Sequence, residues 1–208
     1  MMRIDQKIQF IKQRLVELTL LDKSFAVFGS NKHKYQLNPC KTERGIKSFE
    51  DEYKICLPEG YRQFLLEIGN GGVGPYYGLQ PLEDSLFSDL DFKQDDDLLN
   101  PTRPFLMTES WNMIFDGDIA KNFEAFKAFE NTYFENRWVD GLLRICNYGC
   151  GVSMNLVVNG DEYGHIWVDD RGNDGGIYPD PFFGQSGRTL FLDWYILWLN
   201  QSLIKIGS

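Results

Sequence analysis

Apolar residues recur at helical spacing from the start of the chain. Ile4, Ile8, Ile11, Leu15 and Leu18 form one stripe, with Lys7, Lys12 and Arg14 between them, which predicts an amphipathic helix lying on a surface. Ile46, Phe49 and Tyr53 form a second stripe after Thr42, whose side chain suits an N-cap. LPEGYRQFLLEIGNGG predicts a third helix. Pro58 suits its first turn, Tyr61, Phe64, Leu65 and Ile68 share a face, and Gly69 closes it in a left-handed conformation.

After Leu79 the pattern changes to short apolar runs broken by turn residues. GLLRICNYG, GVSMNLVVNG and GHIWVDD, beginning at Gly141, Gly151 and Gly164, read as consecutive strands. The links between them, Gly149 to Gly151 and Asn159 to Gly164, are short enough that the pairing must be antiparallel. Between Leu79 and these strands lie an acidic loop, the segment RPFLMTESWN, and a Phe-rich stretch in which Ile119, Phe123 and Phe126 are spaced as in a helix. The closing TLFLDWYILWLNQSLIKI is apolar all round, as expected of a helix docked deeply against the sheet.

At 208 residues the chain suffices for one sizeable core and is read as a single domain over 1–208. Sixteen Phe, ten Tyr and five Trp supply more burial than a disordered chain carries. MMRIDQKIQF has no apolar stretch after its charges, and no later run approaches the roughly eighteen apolar residues of a membrane span. A cytoplasmic protein is therefore expected. Cys40, Cys56, Cys146 and Cys150 form no CxxC pair, and His33 and His165 stand far apart, so no metal site and no cofactor is expected. Cys146 and Cys150 flank a turn as a redox pair would, but strand ends also suit small buried residues.

Charge divides the chain. Residues 1–62 hold 12 basic and 8 acidic side chains, and the remainder holds 9 basic and 22 acidic. The acidic part repels nucleic acid and favours a basic partner.

GNGGVGPYYGL, from Gly69 to Leu79, invites a phosphate-loop reading that its details refuse. No lysine follows the glycines, and they come after a helix instead of before one. The stretch reads as architecture: Gly69 caps the helix, Asn70, Gly71 and Gly72 turn the chain through positive φ, and Gly74 and Pro75 start a strand. Tyr76 and Tyr77 would then point to opposite faces, leaving Tyr77 for a partner.

LPEGYRQFLLEIGNGGVGPYYGLQPLED, then RICNYGCGVSMNLVVNGDEYGHIWVDDRGNDGGIYPD, then FLDWYILWL together resemble the SUKH superfamily in its Smi/Knr-like branch. The shared features are an LP-x-x-Y-x-x-F-L helix running into GNGG and GPYYGL, a GCG turn at Gly149 to Gly151, a W-x-D-D-R strand end and a final F-x-D-W-Y helix with Trp194. They span roughly Thr42 to Leu199, and the first 40 residues and the stretch from Asp84 to Asp140 carry no motif of the family. The resemblance implies an α+β fold, a mostly antiparallel central sheet with helices mainly on one side. It also implies a bacterial immunity protein that neutralises a toxin, often a nuclease, or a regulator like the fungal relatives that act in cell-wall synthesis. It brings no catalytic residues.

The expected mode of action is stoichiometric occlusion of a basic toxin domain by a monomer, with no membrane, no direct nucleic acid and no catalysis. The alternative is a non-catalytic signalling or scaffold adaptor. A hydrolase using acidic pairs ranks below both, because carboxylate pairs are expected by chance in an acidic chain, and nucleophilic catalysis is not supported because His165 has no cysteine or serine at motif spacing. Two acidic regions are candidates for the partner. In LEDSLFSDLDFKQDDDLLN, Glu83, Asp84, Asp89, Asp91, Asp95, Asp96 and Asp97 face only Lys93, a field suited to a positive nuclease groove. In HIWVDDRGNDGGIYPD, Asp169, Asp170, Asp174 and Asp180 gather at a strand end. Their spacing does not fit a calcium loop, and a turn with Arg171 held by a carboxylate is the plainer reading. Trp167 and Tyr178 are candidates for exposed anchors to a partner, with core the preferred reading for Trp167.

Overall fold

The computed structural model describes residues 2–181 and 188–207. Its helices are α1 (Ile4–Leu21), α2 (Ser30–His33), α3 (Glu43–Tyr53), α4 (Glu59–Glu67), α5 (Phe123–Tyr133) and α6 (Phe191–Gly207), and its strands β1 (Leu142–Gly149), β2 (Val152–Val157), β3 (Ile166–Asp170) and β4 (Gly176–Pro179). The strands form an antiparallel meander in the order β1-β2-β3-β4. The three strands expected from sequence are in place; β4 is additional, formed where IYPD folds back along β3.

Alternation gives the sheet two unlike faces. Leu143, Ile145, Met154, Leu156, Ile166 and Val168 belong to the main core with α1, α4 and α6. Leu142, Val157, Trp167 and Ile177 belong to a smaller core with Leu99, Phe105 and Val139. The helices thus stack mainly on one face, while the stretch between Leu99 and Val139 covers part of the other.

Burial explains the helix boundaries. On α1, Ile8, Ile11, Leu15 and Leu18 are buried, each contributing about 1.5–3 kcal/mol, and Val16, Leu20 and Leu21 on the outer side are exposed. Thr42 caps α3, its Oγ1 accepting from Gly45 N at 3.0 Å. Trp194 of α6 is fully buried and donates its Nε1–H to Asp180 Oδ2 at 2.6 Å, which satisfies the one polar atom of the ring. Tyr195 Oη donates to the Val73 carbonyl at 2.8 Å, tying α6 to the glycine-rich stretch. Helix α5 starts at Phe123, so Ile119 lies outside it, and only its Tyr133 is buried.

The glycine-rich stretch is architectural, with two corrections in detail, the first to the conformations of Asn70 and Gly69. Gly71 and Gly72 do take positive φ, at 81° and 99°, but Asn70 does not, and Gly72 exchanges two hydrogen bonds with Leu79 (2.9 and 2.8 Å). Gly69, however, is not left-handed. Its N–H and that of Ile68 both bond to the Phe64 carbonyl, and glycine is needed because a Cβ there would lie 2.8 Å from the Asn38 carbonyl oxygen. The second correction concerns Gly74 and Pro75, which do not start a strand. The Gly72–Leu79 pairing turns the chain back on itself, so Pro75 to Gly78 form a turn closed by Gly78 N to Pro75 O at 2.9 Å, with Tyr76 at φ 54°. Tyr76 and Tyr77 therefore share one aromatic group with Phe28 and Tyr148.

Candidate functional site

The second face of the sheet is apolar at one end and polar at the other. Register sets Arg144 opposite Asn155, Asn155 opposite Trp167, and Ser153 opposite Asp169, so Arg144, Ser153, Asn155 and Asp169 project from the same side. Arg171 joins them from the 3-10 turn Arg171–Asn173 that follows β3. All five are buried, which is tolerable only because they satisfy one another.

Asp169 is the centre of this group. Arg171 grips it with two parallel hydrogen bonds, Nε to Oδ1 and Nη2 to Oδ2, both 2.8 Å, the fork geometry that suits a guanidinium. Arg144 Nη2 adds a third at 2.9 Å. Burial works to raise the Asp169 carboxyl, but Arg144 and then Arg171 outweigh it and hold it down at about 2. Arg144 Nη1 donates to Ser153 Oγ and, at 3.4 Å, to Asn155 Oδ1. Arg171 Nη1 donates to the Tyr133 and Glu135 carbonyls at 3.0 and 3.2 Å, fixing the end of α5. Among the described residues Arg144 Nε–H has no acceptor.

The acidic segment roofs this polar end. Asp91 Oδ1 accepts from Asn147 Nδ2 at 2.7 Å, and Asp97 accepts from Asn136 Nδ2 at 2.9 Å and from Ser88 Oγ. Asp89 Oδ1 accepts from the backbone of Asp91 and Phe92 (2.7 and 3.0 Å), closing a local turn. Between roof and floor lies an open cleft of about 530 Å³, lined by Asp89, Asp91, Asp97, Phe134, Arg144 and Arg171 among others.

The structure sorts the carboxylates expected to meet a partner. Asp95 and Asp96 are exposed on the roof, as are Asp89 and Asp91, and Asp97 is half-buried. None of these five has an ion-pair partner among the described residues, whereas Glu83 pairs with Lys41 and Asp84 with Lys93. Asp174 is exposed in the turn before β4, and Asp170 is half-buried, accepting from Asn173 and Tyr178 (2.8 and 3.4 Å). Asp180 is buried under Trp194, so the four aspartates of this strand end do not come together. Among the described residues no group of three or more His, Cys, Asp or Glu is arranged to hold a metal ion.

Two expected contact residues face inward. Trp167 has no exposed surface and packs edge-on to Phe105 at 4.9 Å, because its strand parity directs it into the second core. Asp169 is withdrawn by its two arginines. Tyr178 and Tyr77 are half-buried, and Lys32 Nζ lies 4.8 Å from the Tyr77 ring centroid. Cys146 is buried, its Sγ donating to the Pro75 carbonyl at 3.0 Å, whereas Cys150 is exposed in the β1–β2 turn at φ 54°. The two thus stand in unlike surroundings, and the expectation of small buried residues holds only for Cys146.

Sequence reading did not single out Arg144, Asn147, Ser153 or Phe134. The available signal was Arg144 itself, the one charge in strand β1, which burial demands be paired.

With this geometry in hand, comparison with known proteins assigns the lineage. The family model described as the SMI1 / KNR4 family (SUKH-1) matches residues 41–180. The chain belongs to that family. The match runs from just before α3 to the end of β4 and so takes in both walls of the cleft, the acidic roof and the polar end of the sheet. Helices α1 and α6, which close the main core, fall outside it. No curated protein and no solved structure matches the chain. Among the described residues no helix is long and apolar enough to cross a membrane.

Proposed function

We propose that this chain is an immunity protein that neutralises a cognate toxin, a nuclease domain, by binding it one to one and covering its cationic surface. The observation that carries this reading is the run of carboxylates without an ion-pair partner among the described residues, Asp89, Asp91, Asp95, Asp96 and Asp97, held on one segment above the second sheet face. Just before this run, Glu83 and Asp84 are balanced by lysines, so the uncompensated charge of the segment begins at Asp89. A nuclease holds phosphates in a positive groove. A pre-positioned acidic segment matches such a groove, speeds the encounter and leaves little conformational entropy to be lost on binding.

Membership of the family supports an immunity role, and the acidic roof supports a basic target within it. Binding alone accounts for inhibition: a ligand that covers the groove excludes the nucleic acid and no bond is made or broken. The test is coexpression with the toxin domain encoded beside its gene, together with an equimolar inhibition assay on the purified pair. Protection and a one-to-one complex are expected. If capture from the native host instead returned wall-synthesis or kinase components and no toxin, the adaptor role of the fungal relatives would replace this reading.

A further inference from the structure

We propose that the cleft between the acidic segment and the polar end of the sheet receives one arginine of the partner, its guanidinium between the roof carboxylates and its peptide carbonyl directed to Arg144. This rests on the reading of the chain as the binder of a basic protein, and it names the residue type and the place.

Three independent features specify the occupant. The first is charge: two arginines and four aspartates line the cleft, and both arginines already share Asp169, so the open part is negative and selects a cation. Oδ2 of Asp89 and of Asp91 accepts no hydrogen bond among the described residues, leaving acceptor capacity unused in the lining.

The second is Phe134, at 47% exposure the most exposed apolar side chain of the lining. Arg171 Cζ lies 5.9 Å from its ring centroid and Tyr133 packs against it at 5.1 Å, and the exposed part of the ring offers apolar surface to a second guanidinium. A planar fork of donors meets two separated carboxylates and an aromatic face better than a compact ammonium does.

The third is Arg144. It is only 6% exposed, it stands in the cleft lining, and its Nε–H has no acceptor among the described residues. A buried unanswered donor calls for an acceptor. The Arg144 guanidinium as a whole is short of acceptors, and a peptide carbonyl arriving with the arginine supplies one at its cleft-facing edge without adding charge. The volume of about 530 Å³ lies within the range of pockets that enclose small ligands.

The probe is N-acetyl-arginine methylamide, titrated into the intact protein and followed through backbone amide resonances, against the neutral citrulline and the lysine counterparts. Saturable shifts centred on Asn147, Gly151 and Gly172 are expected, at a dissociation constant of about 1–10 mM, with citrulline and lysine at least about tenfold weaker. Asp89→Asn with Asp91→Asn keeps an oxygen for each internal hydrogen bond and should weaken the arginine probe about tenfold. Asp95→Asn with Asp96→Asn, on the same segment but outside the lining, should not. If the first pair also lowers the unfolding midpoint, the wild-type protein decides instead, by a marked loss of affinity between about 20 mM and about 300 mM salt. Absence of saturation, shifts centred elsewhere, or equal binding of citrulline would overturn the proposal. Because the probe needs no toxin, its failure is separate from a failure of neutralisation.

Discussion

Arg144 on β1 reaches across β2 to Asp169 on β3, its Nη2 2.9 Å from Oδ2. On the way Arg144 Nη1 meets Ser153 and Asn155 of β2, so one side chain staples three strands on their polar face. The same contact makes the floor of the cleft rigid, because neither partner can turn without exposing a buried charge.

Removing the shared anion should cost more than removing one cation. Asp169→Asn leaves Arg144 and Arg171 buried without a counter-charge and should lose about 3–5 kcal/mol. Arg144→Met leaves the two-pronged Arg171–Asp169 pair in place and should lose clearly less. Urea denaturation of both variants measures the order; equal losses would mean that the three do not act as one group.

Acid should weaken the fold in two steps. Burial pushes His33 down to about 4, and its Nδ1 accepts from Tyr35 N at 3.1 Å, a bond that protonation removes. The folded state thus resists a proton that the unfolded chain takes up below about 6.5. Stability is full above that pH and falls by up to ~3 kcal/mol as the pH drops toward 4. Asp169, held at about 2, adds a second loss that begins only below about pH 4. Thermal midpoints across pH 7 to 4.5 should fall in the wild type and stay flatter in His33→Asn.

The glycine turn is tested by adding one methyl group. At Gly72, φ is 99° and a Cβ would lie 2.4 Å from the Gln36 carbonyl oxygen. Gly72→Ala should therefore cost at least ~2 kcal/mol from the left-handed backbone and the displaced neighbour together. A ligand loop would behave oppositely, keeping its stability and losing binding.

Association kinetics should separate roof from floor. Asp95 and Asp96 are exposed and make no side-chain ion pair among the described residues, so Asp95→Lys with Asp96→Lys should leave stability within ~0.5 kcal/mol. It should slow association with the toxin about tenfold at low salt and much less at high salt. Unchanged rates in dilute buffer would remove this segment from the encounter surface.

Much of this architecture was legible in the sequence because local rules agreed with the fold. Thr42 caps the helix it precedes, the strands from Gly141, Gly151 and Gly164 appear where apolar runs and turns place them, and the all-round apolar α6 is buried. What escaped depended on distant pairings. Tyr76 and Tyr77 look like strand residues until Gly72 and Leu79 pair and force a turn. The acidic segment was visible as charge, but only the fold shows that Asp91 and Asp97 are tied to Asn147 and Asn136 over a buried arginine pair. No periodicity encodes a contact between residues 56 apart.

Whether a fixed acidic face inhibits by covering a basic target is decided by a stoichiometric titration. Purified protein is added stepwise to the nuclease toxin domain proposed as its target, in low salt, with nuclease activity and heat of binding recorded together. The expected result is loss of activity that is complete at one equivalent, coincides with one-to-one binding, and weakens in Asp89→Asn with Asp91→Asn. Undiminished nuclease activity at several equivalents, or inactivation by a small fraction of an equivalent, would contradict it.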